Sequence, residues 1–382
     1  MLTPNSASAS STPDDVSVGA TGKRRQIVEA VRDRIRTGAF QPGDRIPSDA
    51  ELVREFGVSR PTVAKALQEL QDCGLVKRKV GSGTYVLRSQ TVSAQQFGLL
   101  IPGLGQTEIF EPICAQMACA ARTNNHSLLW GAHGGSAAPG NEGDWAIELC
   151  RHYIDSKVSG VFFAPLEYLP NRLQVNEQIV GAFQDANISV VLLDRDYLPY
   201  PMRSSLDLVG VDNRRVGYIV THHLFQRGCK RVVFFSRPRS ASTIDARVAG
   251  FIEAVIKDSG GFSNELVVRC EPDDTDAIRH MLSDVKPDGI VCGNDVTAGQ
   301  LLRSLGELRV RVPDKIRVTG VDDVRYAGLL SVPLTTVRQP CAALGDSAFK
   351  AMLDRVAKPD APAKSILLDA ELVIRASTGD NH

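Results

Sequence analysis

The chain has 382 residues, with 44 Lys and Arg against 44 Asp and Glu, 43% apolar and 23% charged, a composition that fits a globular protein of two or three domains. No run of about 18 uncharged apolar residues occurs, and the longest apolar runs, such as residues 158–166 and 189–193, suit buried strands, so a membrane-spanning chain is excluded. The balanced charge hides a division: residues 23–88 hold 14 basic and 8 acidic side chains, residues 97–382 hold 30 and 34. A small basic module, the electrostatic footprint for a phosphate backbone, thus precedes a large, mildly acidic one.

Residues 1–22 are rich in Ser, Ala, Thr and Pro and contain neither Lys, Arg nor an apolar h-region. They read as a disordered tail rather than a secretory signal, and the protein as cytoplasmic. From residue 23 the spacing of Ile27, Val31 and Ile35 predicts an amphipathic helix, which Gly38 and then Pro42-Gly43 end. Ser48 and Glu51 have the spacing of a capping box for a second helix through Phe56, stopped by Gly57. Ser59 is placed to cap a third helix over residues 60–73, with Pro61 tolerated in its first turn. That helix turns Val63, Ala66, Leu67 and Leu70 inward and leaves Arg60, Thr62 and Lys65 outside at its N-terminal end, the end a recognition helix presents to the major groove. A hairpin around Gly81-Ser82-Gly83 follows, its stem carrying Lys77, Arg78 and Lys79. The outline is a winged helix-turn-helix over residues 23–88; a generic helical bundle with a solvated basic face would give the same pattern.

Residues 89–96 (SQTVSAQQ) read as a linker. Beyond it, apolar runs at 97–101, 127–131, 160–164, 189–193, 231–235, 266–268, 289–292 and 318–321 alternate with helical patterns. Two series of about four strands predict an α/β domain over residues 97–382: two lobes with parallel sheets and a ligand cleft where strand carboxyl ends converge. Polar residues directly follow several runs: Asp194-Arg195-Asp196, Asn294-Asp295 and Asp322-Asp323. Arg forks, carboxylates and an Asn amide suit a polyhydroxylated ligand, whose hydroxyls donate and accept. Each is also a plain structural device, Asn294 and Asp295 as a helix start and Asp322-Asp323 as a turn.

The eight cysteines include no Cys-x-x-Cys pair, and the adjacent His222 and His223 would point about 100° apart on a helix, so neither a metal site nor a cofactor is expected. Gly103-Leu104-Gly105 lacks the third glycine of a dinucleotide fingerprint, Glu108 standing in its place, and neither a phosphate-binding loop nor a G-x-S-x-G elbow occurs, so an enzyme is not expected.

The segment IPSDAELVREFGVSRPTVAKALQELQDCGLVKRKVGSGTYV resembles the winged helix-turn-helix of the GntR family over roughly residues 24–88. The resemblance implies DNA contacts at Ser48, Ser59, Arg60, Thr62 and Gly83, with Lys65 and Lys79 as further basic contacts. Ala64 stands where many members have a base-reading Arg, so the operator does not carry over. The stretches VGVDNRRVGY, RVAGF, CGNDVTAGQLLRSL and VPDKIRVTGVDDVRYAGLLSVPLTTVRQP resemble the effector domain of the LacI/GalR repressors, itself similar to periplasmic sugar-binding proteins. That resemblance implies ligand contacts at Asp194, Arg247, Asn294 and Asp322. Phe110 stands where such proteins often place a residue over the ligand, with core packing as its other reading. Both halves together resemble the arabinose repressor (AraR) group, which implies a homodimeric regulator that binds operator DNA and responds to a small sugar-like effector. A solute-binding protein of a sugar transporter shares the two-lobed fold, but the basic head and the missing signal argue against it. The linker shows no hinge-helix pattern, which leaves flexible tethering as the expected means of transmission.

Overall fold

The computed structural model describes residues 14–36, 38–72, 74–79, 81–87, 94–102, 109–131 and 142–379. Most of the expected linker, the first 13 residues of the expected tail and the Gly103-Leu104-Gly105 stretch lie outside the described residues. The chain divides into two compact units, Met1–Ser93 and Ala94–His382.

In the first unit α1 spans Asp14–Arg36, α2 Asp49–Phe56 and α3 Arg60–Asp72, followed by the antiparallel hairpin of β1 (Val76–Lys79) and β2 (Gly83–Val86). The helix begins at Asp14, inside the stretch expected to be a disordered tail. Ile27, Val28 and Val31 meet Leu52, Val63, Ala66 and Leu70 in a fully buried core that the hairpin closes with Val76 and Val86. The Ser48–Glu51 capping box forms, and Gly57 takes the left-handed conformation (φ 60°) that the turn into α3 needs.

The second unit begins with β3 (Gln96–Leu100), α4 (Phe110–Thr123), β4 (Ser127–Trp130), α5 (Glu142–Asp155), β5 (Gly160–Phe163), α6 (Arg172–Asp185), β6 (Ser189–Leu193) and β7 (Asp207–Val211). It continues with α7 (Asn213–Gln226), β8 (Val232–Ser236), α8 (Ser242–Ser259), β9 (Val267–Arg269), α9 (Thr275–His280), β10 (Gly289–Cys292), α10 (Asp295–Glu307), β11 (Arg317–Thr319), β12 (Thr336–Arg338), α11 (Cys341–Ala357), β13 (Ser365–Leu368) and β14 (Glu371–Val373). Two parallel sheets result, one of six strands in the order β13-β7-β6-β5-β3-β4 and one of four in the order β11-β10-β8-β9. The two lobes are thus as expected in kind, with more strands in the first: β7 and β13 extend its sheet, and β12 and β14 pair as a separate antiparallel ribbon.

The chain crosses between lobes three times, after β7, between β12 and α11, and between β13 and β14. Arg355, on α11, fixes the last return: it forks onto Asp207 at 2.9 and 3.0 Å and donates to the carbonyls of Pro359, Ala361 and Pro362, while Asp207 also accepts from the Lys364 amide. Helices α7 and α8 cross closely because Gly217 and Gly250 lack side chains; a Cβ at either would collide with the carbonyl of Arg247 or Arg214. This contact sets where Arg247 stands.

Candidate functional site

On the first unit, the N-terminal end of α3 presents Arg60 and Lys65 exposed, with no ion pair among the described residues. The Ser59 carbonyl accepts from the amides of Thr62 and Val63, and its hydroxyl lies 2.9 Å from that of Thr62, so the two hydroxyls share a bond at the start of the helix. Ser48 is committed to its capping box: its amide donates to Glu51 Oε2 at 2.7 Å and its hydroxyl holds the same carboxylate, which depresses the Glu51 pKa. In the wing, Lys79 lies 5.0 Å above the Tyr85 ring, Arg78 pairs with Asp49 at 2.9 Å, and Lys77 points to solvent. Gly83 (φ 122°) closes the hairpin, and a Cβ there would strike the Arg45 side chain. Arg45, which sequence reading passed over, bridges to Tyr85 in backbone pairing and so adds an exposed cation beside the wing.

In the second unit, the first lobe supplies the residues that end β5 and β6. Asp194 turns left-handed (φ 69°) directly after β6, and its backbone amide bonds the Val209 carbonyl. Arg195, only 9% exposed, donates from Nε to the Pro165 carbonyl at 3.0 Å, from Nη1 to Asp194 at 2.6 Å, and lies 3.4 Å from Glu167. Burial by itself pulls the Arg195 pKa down, but Glu167 and Asp194 override it and hold the guanidinium charged. Burial raises the Glu167 pKa, with Arg195 working against it.

From the second lobe, Arg247 on α8 donates to Asn213 Oδ1 at 2.8 Å and to the Gly293 carbonyl at 2.6 Å, and its third nitrogen stands 3.8 Å from Asp322. Asp322 follows β11 in a left-handed turn (φ 122°) and accepts from Gln339 Nε2 at 2.7 Å. Burial drives its pKa up to about 7, Arg247 opposes the rise, and Asp295 and Asp194 add to it. Asp194, Arg247 and Asp322 therefore share one electrostatic cluster drawn from both lobes. Gln339 belongs with them and was missed from the sequence; it sits on a crossover rather than after an apolar run.

Asn294 uses Oδ1 to cap α10 through the Thr297 amide at 2.9 Å, and its NH2 group makes no hydrogen bond among the described residues. Its neighbour Asp295 is wholly buried and accepts from Thr336 Oγ1 at 2.6 Å and the Val324 amide at 3.1 Å, a structural anchor whose pKa burial raises to about 6. Asp323, likewise, is bound by Arg375 and Arg338 at 2.5 and 2.6 Å. Phe110 is 3% exposed and belongs to a buried apolar cluster with Leu193 and Val209. His222 bonds Asp258 and His223 bonds Thr378, each in its own direction. No helix among the described residues is long and apolar enough to cross a membrane.

Residues 23–86 match the bacterial regulatory proteins of the gntR family, and residues 221–378 match the periplasmic binding protein-like domain. Along nearly the whole chain the sequence is similar to an arabinose metabolism transcriptional repressor of Geobacillus stearothermophilus, 25% identical over 93% of this chain and 97% of that protein. An HTH-type transcriptional repressor PurR of Photorhabdus laumondii is 31% identical over 53% of this chain and 60% of its own length. In fold, the chain is similar to the transcriptional regulator CelR in its cellobiose complex, with a TM-score of 0.63 and 20% identity over 84% of this chain and 91% of that one.

Proposed function

We propose that this chain, which joins a GntR-family DNA-binding domain to a periplasmic-binding-protein-like domain, is a transcriptional repressor whose hold on operator DNA is set by a small polyhydroxylated effector. The observation that carries the reading is the polar cluster at the strand ends of both lobes, in one chain with an exposed basic recognition helix. In that cluster the donors Arg195, Arg247 and Gln339 stand against the carboxylates Asp194 and Asp322, with Asn294 next to the Gly293 carbonyl that Arg247 holds, a mix of donors and acceptors that suits vicinal hydroxyls. The relatives support both halves, since two that match over 93% of the chain are named as arabinose metabolism transcriptional repressors. A transporter's solute-binding protein has no use for the first domain, and that alternative is set aside.

On this reading Arg60, Thr62 and Lys65 enter the major groove, Lys79, Gly83 and Arg45 lie along the adjacent backbone, and Ser48 and Ser59 meet phosphates at the two helix starts. Effector bound between the lobes favours one interlobe arrangement, and a dimer converts that preference into altered operator affinity. The protein acts in the compartment that holds its DNA, the cytoplasm. An apolar patch on the second lobe fits self-association: Leu329 is 84% exposed and Val296 44%, beside Leu330 packed over Gly299.

The test is a thermal-shift screen against pentoses, hexoses, their phosphates and nucleosides, followed by titration of the hit into a complex with duplex DNA selected from a random library. Release of a selected, inverted-repeat duplex by the compound that raises the melting temperature is the expected result. Selection of no preferred duplex, or a stabilising ligand that leaves DNA affinity unchanged, would overturn the assignment.

A further inference from the structure

A cavity of about 650 Å³ opens between the lobes beside the polar cluster, bounded by the segments after β5 and β6, the first turn of α6 and the N-terminal half of α8. Such a volume lies in the range of about 300–1,000 Å³ typical of small-molecule sites. Asp194, Arg247, Asn294 and Asp322 do not line it; Glu167 and Arg195 do, and they belong to the cluster as well. One molecule can therefore reach from the cluster into the cavity past Arg195.

The chemistry of the walls says what part of a molecule fits there. Most polar wall residues are already satisfied by the protein. Asp196 accepts from the amides of Leu198 and Ser204 and from the Ser204 hydroxyl; Asn176 pairs with both backbone groups of Leu166; Arg214 pairs with Glu253 and Asp245 with Arg269. Besides these and Glu167, Arg172, Arg195 and Ser242, the wall is apolar: Leu166, Leu173, Leu198, Pro199 and Tyr200 on one side, and on the other Ala241 and an α8 face kept small by Ala246 and Ala249. Tyr200 is 94% exposed and Leu173 39%, apolar surface that a bound group would remove from water.

We infer that the effector is a polyol carrying an apolar substituent, such as an aryl glycoside, with its hydroxyls in the polar cluster and the substituent in this cavity. The inference rests on the effector reading given above and specifies its ligand class. An aromatic ring stacked on Tyr200 or Tyr197 and facing the alanine surface of α8 would occupy the cavity without displacing any of the internal hydrogen bonds.

The test uses the full chain and two sets of probes. By calorimetry, phenyl glycosides of the pentose and hexose series are compared with the parent sugars; the uncharged dye N-phenyl-1-naphthylamine reports the cavity independently by fluorescence. The expected result is a phenyl glycoside that binds at least tenfold tighter than its parent sugar and displaces the dye, while the parent sugar does not. In Ala249→Trp, a position exposed enough to accept the ring, and in Ala246→Phe, the advantage and the dye signal should vanish while the parent sugar keeps its affinity within about twofold. Equal affinity for glycoside and parent, or an advantage that survives both filled variants, would overturn the inference, as would failure of the dye to bind. Dye binding that is lost in both variants, with no sugar or glycoside bound at all, would leave the apolar cavity standing and overturn the polyol effector reading beneath it.

Discussion

Asp322→Asn separates the cost of the proposed effector site from its use. Burial lifts the Asp322 carboxyl from 3.8 to about 7, so its ionised form is disfavoured in the folded state by about 4 kcal/mol, at roughly 1.4 kcal/mol per unit. The folded state then holds this proton more tightly than the unfolded chain. Between pH 4 and 7 the unfolded chain loses it first, stability falls as pH rises, and the full penalty is present above pH 7. An amide of the same shape removes the penalty and keeps a neutral acceptor for Gln339, although Arg247, 3.8 Å away, loses part of its counter-charge. The net expectation is a second unit more stable by about 2–4 kcal/mol at pH 8 and unchanged near pH 4. Asp295, with its pKa raised to about 6, titrates in both proteins, so the difference between them reports Asp322 together with its repulsion from Asp295. Urea unfolding followed by circular dichroism at several pH values measures that difference. Effector affinity should fall by about tenfold or more, the worth of a hydrogen bond to a charged group, and in the unsubstituted protein it should weaken as pH drops below 7. Parallel stability curves for the two proteins from pH 4 to 8 would refute the reasoning.

Arg60→Ala should weaken binding to a selected duplex by about 1–3 kcal/mol and leave effector affinity intact, since the two sites lie in separate units; mobility-shift titration and calorimetry check both. Gly250→Val should force α7 from α8 and move Arg247, abolishing the calorimetric effector signal while duplex binding persists. Arg355→Ala strands the buried Asp207 carboxylate and three carbonyls, for an expected loss of about 3–5 kcal/mol in urea unfolding, whereas pairing it with Asp207→Asn should restore part of that loss. If the exposed Leu329 carries the proposed self-association, the unsubstituted chain sediments as a dimer and Leu329→Asp as a monomer; the same sedimentation for both would refute that surface.

What the sequence displayed, it displayed through local grammar. A capping box, a glycine turn and an apolar stripe at helical spacing are each written within a dozen residues, and Ser48, Gly57 and the Val63–Leu70 face sit where that grammar placed them. A polar residue immediately after a buried strand is also local, which is why Asp194, Arg247's partner Asp322 and Asn294 were legible as candidates. Pairings remote in sequence were not. β13 joins the first lobe after the chain has left it, and nothing in Ser365–Leu368 says that its neighbour is β7; the Asp207–Arg355 pair that enforces the join spans a separation no periodicity records. Gln339 escaped for the same reason: it follows β12, whose Val337 and Arg338 pair with Asp322, and that pairing is not written in the local sequence. Phe110 was undecidable because an aromatic residue opening a helix looks the same whether its ring meets ligand or core; in the fold it is buried in an apolar cluster. The polar half of the proposed effector site is thus encoded mostly in strand ends, while the apolar half inferred for it is made by loops and a helix face that meet only in three dimensions. A sequence reading is therefore biased towards expecting a bare sugar, and the cavity wall is where this chain has room to be selective for something larger.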